Sequence, residues 1–184
     1  IRDNYHICLF AKNWNGVKEI NKLLSIANNR NDGHFYFIPR ITFEELYQTS
    51  DNIIISTACL GGVFKTKNED LLSRFVKFLI DNKHRCFLEI QHHNVDDQKN
   101  LNRKLLKLSK ENDIKYIITT DTHALNRTHL KGREILQKAK KIHFGEEDGW
   151  DLTFKSYDEV TKSMIEQGVL TREEIRIGLE NTNV

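Results

Sequence analysis

The stretch Lys115-Tyr-Ile-Ile-Thr-Thr-Asp-Thr-His123 constrains this chain more than any other. Tyr116, Ile117 and Ile118 form an apolar run without polar alternation, the pattern of a strand buried on both faces of a parallel sheet. Residues two apart on a strand project to one side, so Asp121 and His123 are expected to leave its C-terminal end together. That end is where α/β folds keep their chemistry. A carboxylate beside an imidazole begins a site for Zn²⁺ or Mn²⁺. Asp-x-His also arises by chance, and taken alone it is more often not a metal site.

The rest of the chain has the same texture. Apolar runs at Tyr5–Ala11, Ile53–Thr57 and Cys86–Ile90 read as further buried strands. Between them lie amphipathic segments with apolar stripes at helical spacing. Val17, Ile20, Leu23, Leu24 and Ala27 form the first stripe, and Leu71, Leu72, Phe75, Val76 and Leu79 the second. Leu101, Leu105 and Leu108 make a third, and a further helix is expected from about His129 to Lys140. Asn13, Thr42, Asn68, Ser156 and Thr171 stand where helix caps belong, with Glu45 completing a capping box. His34–Ile38 and Trp150–Phe154 read as short extended pieces. Strands alternating with helices predict a parallel α/β protein, in units too few to close a full barrel.

A length of 184 residues suits a single domain over 1–184 with a real core. The net charge of +2 is too small to argue for nucleic acid or a membrane surface, and no apolar run is long enough to span a bilayer. Cys8, Cys59 and Cys86 are odd in number and widely spaced, which suits a reducing cytoplasm rather than a disulfide framework. The chain opens on Ile1 and enters an apolar run almost at once, so it is expected to be a piece of something longer.

His6, Cys59, Asp121 and His123 are the candidates for chemistry, each on or just beyond a strand and each a metal-ligand type. Singly, His6 reads better as a strand-end histidine and Cys59 as a small buried hydrophobe. The Gly61-Gly62 pair after Cys59 favours a ligand, because backbone that hugs a site needs glycine. His93, beside His92, is a possible supporting or substrate-facing group, although loop histidines are usually only solvated. Lys138, Lys140, Lys141 and His143 form a basic cluster that reads best as a solvated helix end. Neither a G-x-S-x-G elbow nor a G-x-x-x-x-G-K loop is present.

Six segments together resemble one family. Tyr5–Asn13 with Gly16, Phe35–Ile41, Ser56–Gly62, Phe87–His93 with Gln98, Thr119–His123 and Leu179–Thr182 run in the order seen in bacterial DNA polymerase III alpha subunits. There they form the PHP (polymerase and histidinol phosphatase) domain. The resemblance implies a fold of the distorted β/α barrel type, here a partial one lacking its first strands. It implies metal ligands at His6, Cys59, Asp121 and His123, with Asp121 also catalytic. The metal it implies is Zn²⁺, Mn²⁺ or Fe, with Mg²⁺ serving the parent polymerase. The family's first segments, which carry a His-x-His pair, a Thr-Asp-His and a Gly-x-Glu ahead of the segment matched by Tyr5–Asn13, have no counterpart before Tyr5 here, so the fragment alone is expected to be inactive.

In the intact parent the resemblance implies metal-dependent phosphoester hydrolysis, as a 3′–5′ exonuclease or a pyrophosphatase. The partners it implies are DNA through the parent polymerase, the proofreading exonuclease and other replisome subunits. The alternatives are a non-catalytic scaffold that binds the proofreading exonuclease, or a stand-alone PHP phosphatase.

Overall fold

The computed structural model describes residues 4–35, 37–141 and 150–183. Tyr36 of the Phe35–Ile41 segment and His143 of the basic cluster lie outside them. The protein is a mixed α/β structure that divides into two compact units, Ile1–Phe87 and Leu88–Val184.

The first unit holds β1 (Cys8–Ala11), α1 (Trp14–Ala27), α2 (Phe43–Tyr47), β2 (Ile53–Ser56), α3 (Glu69–Asp81) and the start of β3 (Cys86–Gln91). The Asn13 side chain accepts from Gly16 N and caps α1, while Thr42 and Glu45 close a reciprocal capping box on α2. Asn68 caps α3 by accepting from Leu71 N. One expectation is corrected here. β1 runs antiparallel to β2, with Cys8 opposite Ser56 and Ala11 opposite Ile53. An apolar run carries no sign of its direction, and pairing decides it.

Nor is the first strand buried on both faces. It is four residues long, and Phe10 is 53% exposed. The expected stripe of α1 is likewise half open. Ala27 is buried, but Ile20 and Leu23 are only partly covered and Leu24 is exposed, because they line a hollow of about 910 Å³ with Leu9, Phe43 and Leu46. Within the expected extended piece at His34–Ile38 the chain bends at His34 and at Phe37, which is left-handed at φ 63°, and Ile38 stands in an isolated bridge.

Arg85 secures the entry to β3. Its side chain is nearly inaccessible, donating from Nη2 to Thr49 O at 2.9 Å and from Nη1 to Thr49 Oγ1 and Ser50 O at 3.0 and 3.1 Å. A buried guanidinium is tolerable only when its donors are used in this way. Cys86 and Phe87 then pair in parallel with Ile55 and Ser56.

The second unit takes up β3 from Leu88, which pairs in parallel with β4 (Tyr116–Thr119), and adds α4 (Asp96–Asn112), α5 (Arg127–Ala139), α6 (Tyr157–Gln167) and α7 (Arg172–Glu180). Ser156 and Thr171 form capping boxes with Glu159 and Glu174. The inner face of α4 differs from the leucine stripe read in the sequence. Gln98, Asn102, Leu105, Leu106 and Ser109 are buried, while Leu101 and Leu108 are only partly so. In Trp150–Phe154 Thr153 forms an isolated parallel bridge with Ala124, and no strand is formed there.

Candidate metal centre

In the first unit the chain brings His6 beside Cys59. His6 N donates to Gly61 O at 2.9 Å and the residue bridges to Gly62, which sets its ring against the loop after β2. His6 Nδ1 and Cys59 Sγ lie 3.4 Å apart. Ala58, immediately before Cys59, is left-handed at φ 58°, a costly conformation for alanine that turns the chain sharply at the strand end. Gly61 packs on the imidazole, and a Cβ there would stand 3.0 Å from Nδ1. His6 is exposed and Cys59 partly so.

The second unit brings Asp121, His123 and His93 together. Asp121 is itself left-handed at φ 50°, so the backbone turns just beyond β4. His123 Nδ1–H donates to Asp121 O at 2.7 Å. That bond places the proton on Nδ1 and leaves the Nε2 lone pair to act as a ligand, the arrangement of most metal-binding histidines. The loop is pinned from the other side, since His123 N and Ala124 N donate to Leu152 O at 2.9 and 3.1 Å.

His93 departs from the expectation of a solvated loop residue, being 3% exposed. Trp150 stacks on it at 4.3 Å and 27°, and the His92 ring lies 4.6 Å away. Its Nε2 is 3.6 Å from Asp121 Oδ2, too long for a hydrogen bond, and has no hydrogen-bond partner among the described residues.

Sequence reading missed what supports this segment. Gln167 Nε2 donates to the carbonyls of Gln91 and His93 at 3.0 and 2.7 Å, and Asn102 Nδ2 donates to Gln91 O at 2.7 Å. Gln98 Nε2 in turn donates to Asn102 Oδ1 at 2.8 Å. The available signal was the i,i+4 pair Gln98 and Asn102 on the same helix face as Leu105 and Leu106.

These donors fit divalent-metal chemistry. Two ligands about 2.0–2.3 Å from a tetrahedral ion lie roughly 3.3–3.7 Å apart. The His6–Cys59 separation of 3.4 Å and the His93–Asp121 separation of 3.6 Å both fall in that span. Among the described residues no group of three or more His, Cys, Asp or Glu side chains is close enough to hold an ion. Each unit therefore offers paired donors rather than a finished cage. No helix among the described residues is long and apolar enough to cross a membrane.

No protein-family model matches the chain. Curated relatives do. The chain is 33% identical over 151 residues to the DNA polymerase III subunit alpha of Aquifex aeolicus, covering 76% of this chain. It is 31% identical over 138 residues to that of Borreliella burgdorferi, covering 72% of this chain. The PolC-type DNA polymerase III of Clostridium perfringens matches at 29% over 177 residues, or 86% of this chain. In each case the chain spans only 12% of the relative's length. The chain is thus related in sequence to one segment of the DNA polymerase III alpha subunit.

Proposed function

We propose that this chain is a segment of the PHP domain of a DNA polymerase III alpha subunit acting in DNA replication, and that its donors belong to a metal-dependent phosphoesterase centre. The observation that carries the reading is the Asp121–His123 turn, where the Nδ1–H bond to Asp121 O readies His123 Nε2 as a ligand. The partial exposure of Asp121 and Cys59 and the 3.4 Å His6–Cys59 spacing support it. His6 with Cys59 in the first unit, and Asp121 with His123 in the second, would each supply ligands for Zn²⁺, Mn²⁺ or Fe. A bound cation would supply Lewis acidity to a phosphoryl oxygen and lower the pKa of water.

The chain's own part is positional. The left-handed turn at Asp121 presents its carboxylate beyond the sheet, and the Leu152 contacts keep His123 from following the strand direction. In the parent the substrate would be DNA or pyrophosphate, with the proofreading exonuclease and other replisome subunits as partners. Because no three-donor group is present among the described residues, the chain by itself would hold an ion weakly and turn nothing over.

The test uses the intact polymerase subunit with Mn²⁺ or Zn²⁺, following release of nucleotides from a DNA 3′ end and hydrolysis of pyrophosphate. Asp121→Asn is expected to cut one of these by about 10²-fold or more. Equal rates for Asp121→Asn, Cys59→Ala and the parent would end the phosphoesterase reading.

A further inference from the structure

We propose that His93 is a fifth metal donor in this chain, its Nε2 sharing one divalent transition-metal ion with Asp121 Oδ2. The proposal rests on the metal-centre reading above and adds a residue to it.

A buried imidazole nitrogen has two neutral states, and neither suits the surroundings of His93. As N–H it is a buried donor with no acceptor within bonding distance among the described residues, Asp121 Oδ2 standing 3.6 Å away. As a lone pair it is a buried acceptor with no donor within bonding distance among the described residues. Leaving such a group unsatisfied costs about 1–3 kcal/mol. An ion between the two atoms satisfies both at once, and 3.6 Å is the separation two ligands of a tetrahedral ion adopt.

The ring is also held in place, as a ligand's ring must be. Trp150 stacks against one side of it, and Gln167 Nε2 anchors the His93 carbonyl at 2.7 Å. Gln167 is in turn tied to Asn102, whose Nδ2 donates to Gln167 Oε1 at 2.8 Å. The His93 side chain is 2% exposed, against 20% for Asp121, so an ion would enter from the Asp121 side with water filling its remaining positions.

The test is a Zn²⁺ titration of the 184-residue chain with ¹⁵N-labelled histidine, reading the imidazole nitrogens directly. The His93 Nε2 resonance is expected to move to a metal-bound position at the zinc level that Asp121→Asn shifts upward. His93→Gln is expected to weaken zinc binding by about 10–100-fold without changing the far-ultraviolet circular dichroism of the metal-free chain. Should His93→Gln disturb folding, the resonance of the unmodified chain still decides the matter. Zinc binding that needs Asp121 while the His93 nitrogens stay unmoved would overturn the assignment and leave the metal-centre reading standing. A chain whose histidines and Asp121 ignore zinc altogether would overturn both.

Discussion

A Cβ on Gly61 would stand 3.0 Å from His6 Nδ1 and 3.3 Å from Cε1, so the glycine leaves room for the imidazole that lies beside Cys59. The contact is with the end of a side chain and not with backbone, so His6 can yield. Gly61→Ala is therefore expected to cost less than about 1 kcal/mol in urea unfolding while pushing His6 away from Cys59. The histidine ring resonances check this. A His6 spectrum unchanged from the parent would show that the glycine does not set the ring's position.

Gly178 answers differently to the same substitution. Its hypothetical Cβ meets Tyr116 Cε2 at 2.7 Å and Ile118 Cγ1 at 2.8 Å, both on β4 beneath α7. Tyr116 is further held by a hydrogen bond from its hydroxyl to Glu174 O at 2.8 Å, so the ring has little freedom to retreat. Overpacking at such a site costs about 1–3 kcal/mol. Gly178→Ala should lower the urea midpoint accordingly, and an unchanged midpoint would mean that α7 slides without loss.

His34 gives the first unit a pH dependence of one sign. Its Nδ1–H donates to Asp32 Oδ1 at 2.7 Å and its Nε2–H to Glu45 Oε1 at 2.9 Å, a pairing only imidazolium can make. The hydrogen bond to Asp32 raises its pKa most, and burial opposes it. The stability this adds is fully present below the ordinary imidazole pKa of about 6.5 and is lost as pH rises through the raised folded value. An NMR titration of His34 is expected to show a midpoint above 6.5 that falls in Asp32→Asn. A midpoint indifferent to that change would refute the pairing.

His92 gives the second unit the opposite sign. Burial, then the neighbouring His93 and Lys155, push its pKa down to about 4. The unfolded chain therefore takes the proton first, so stability is complete above about pH 6.5 and is lost as pH falls toward 4. The loss reaches about 3 kcal/mol at most. Melting curves from pH 7 to pH 4 check this, with His92→Gln expected to flatten the slope. A parent and variant that lose stability in parallel would assign the acid sensitivity elsewhere.

Local chemistry was legible in the residues themselves. Asn13, Thr42, Asn68, Ser156 and Thr171 all cap the helices expected of them, because capping is settled within four residues of chain. The β3 and β4 segments fall where their apolar runs end, and they pair in parallel. The placing of Asp121 and His123 just past a strand came from the same local pattern.

What the residues alone did not determine depends on contacts between distant segments. The antiparallel direction of β1 is set by hydrogen bonding to β2, some forty-five residues away, and an apolar run reads the same in both directions. The inner face of α4 is rotated away from the leucine stripe because buried Asn102 gains partners there, on Gln167 and the Gln91 carbonyl, and Gln98 donates in turn to Asn102. His93 became a buried donor facing Asp121 only because Trp150, from the far side of α5, lies across its ring and shuts out water. Sequence spacing determines which groups leave the end of a strand. Only tertiary packing decides which of them lose their solvent, and with it the need for another partner.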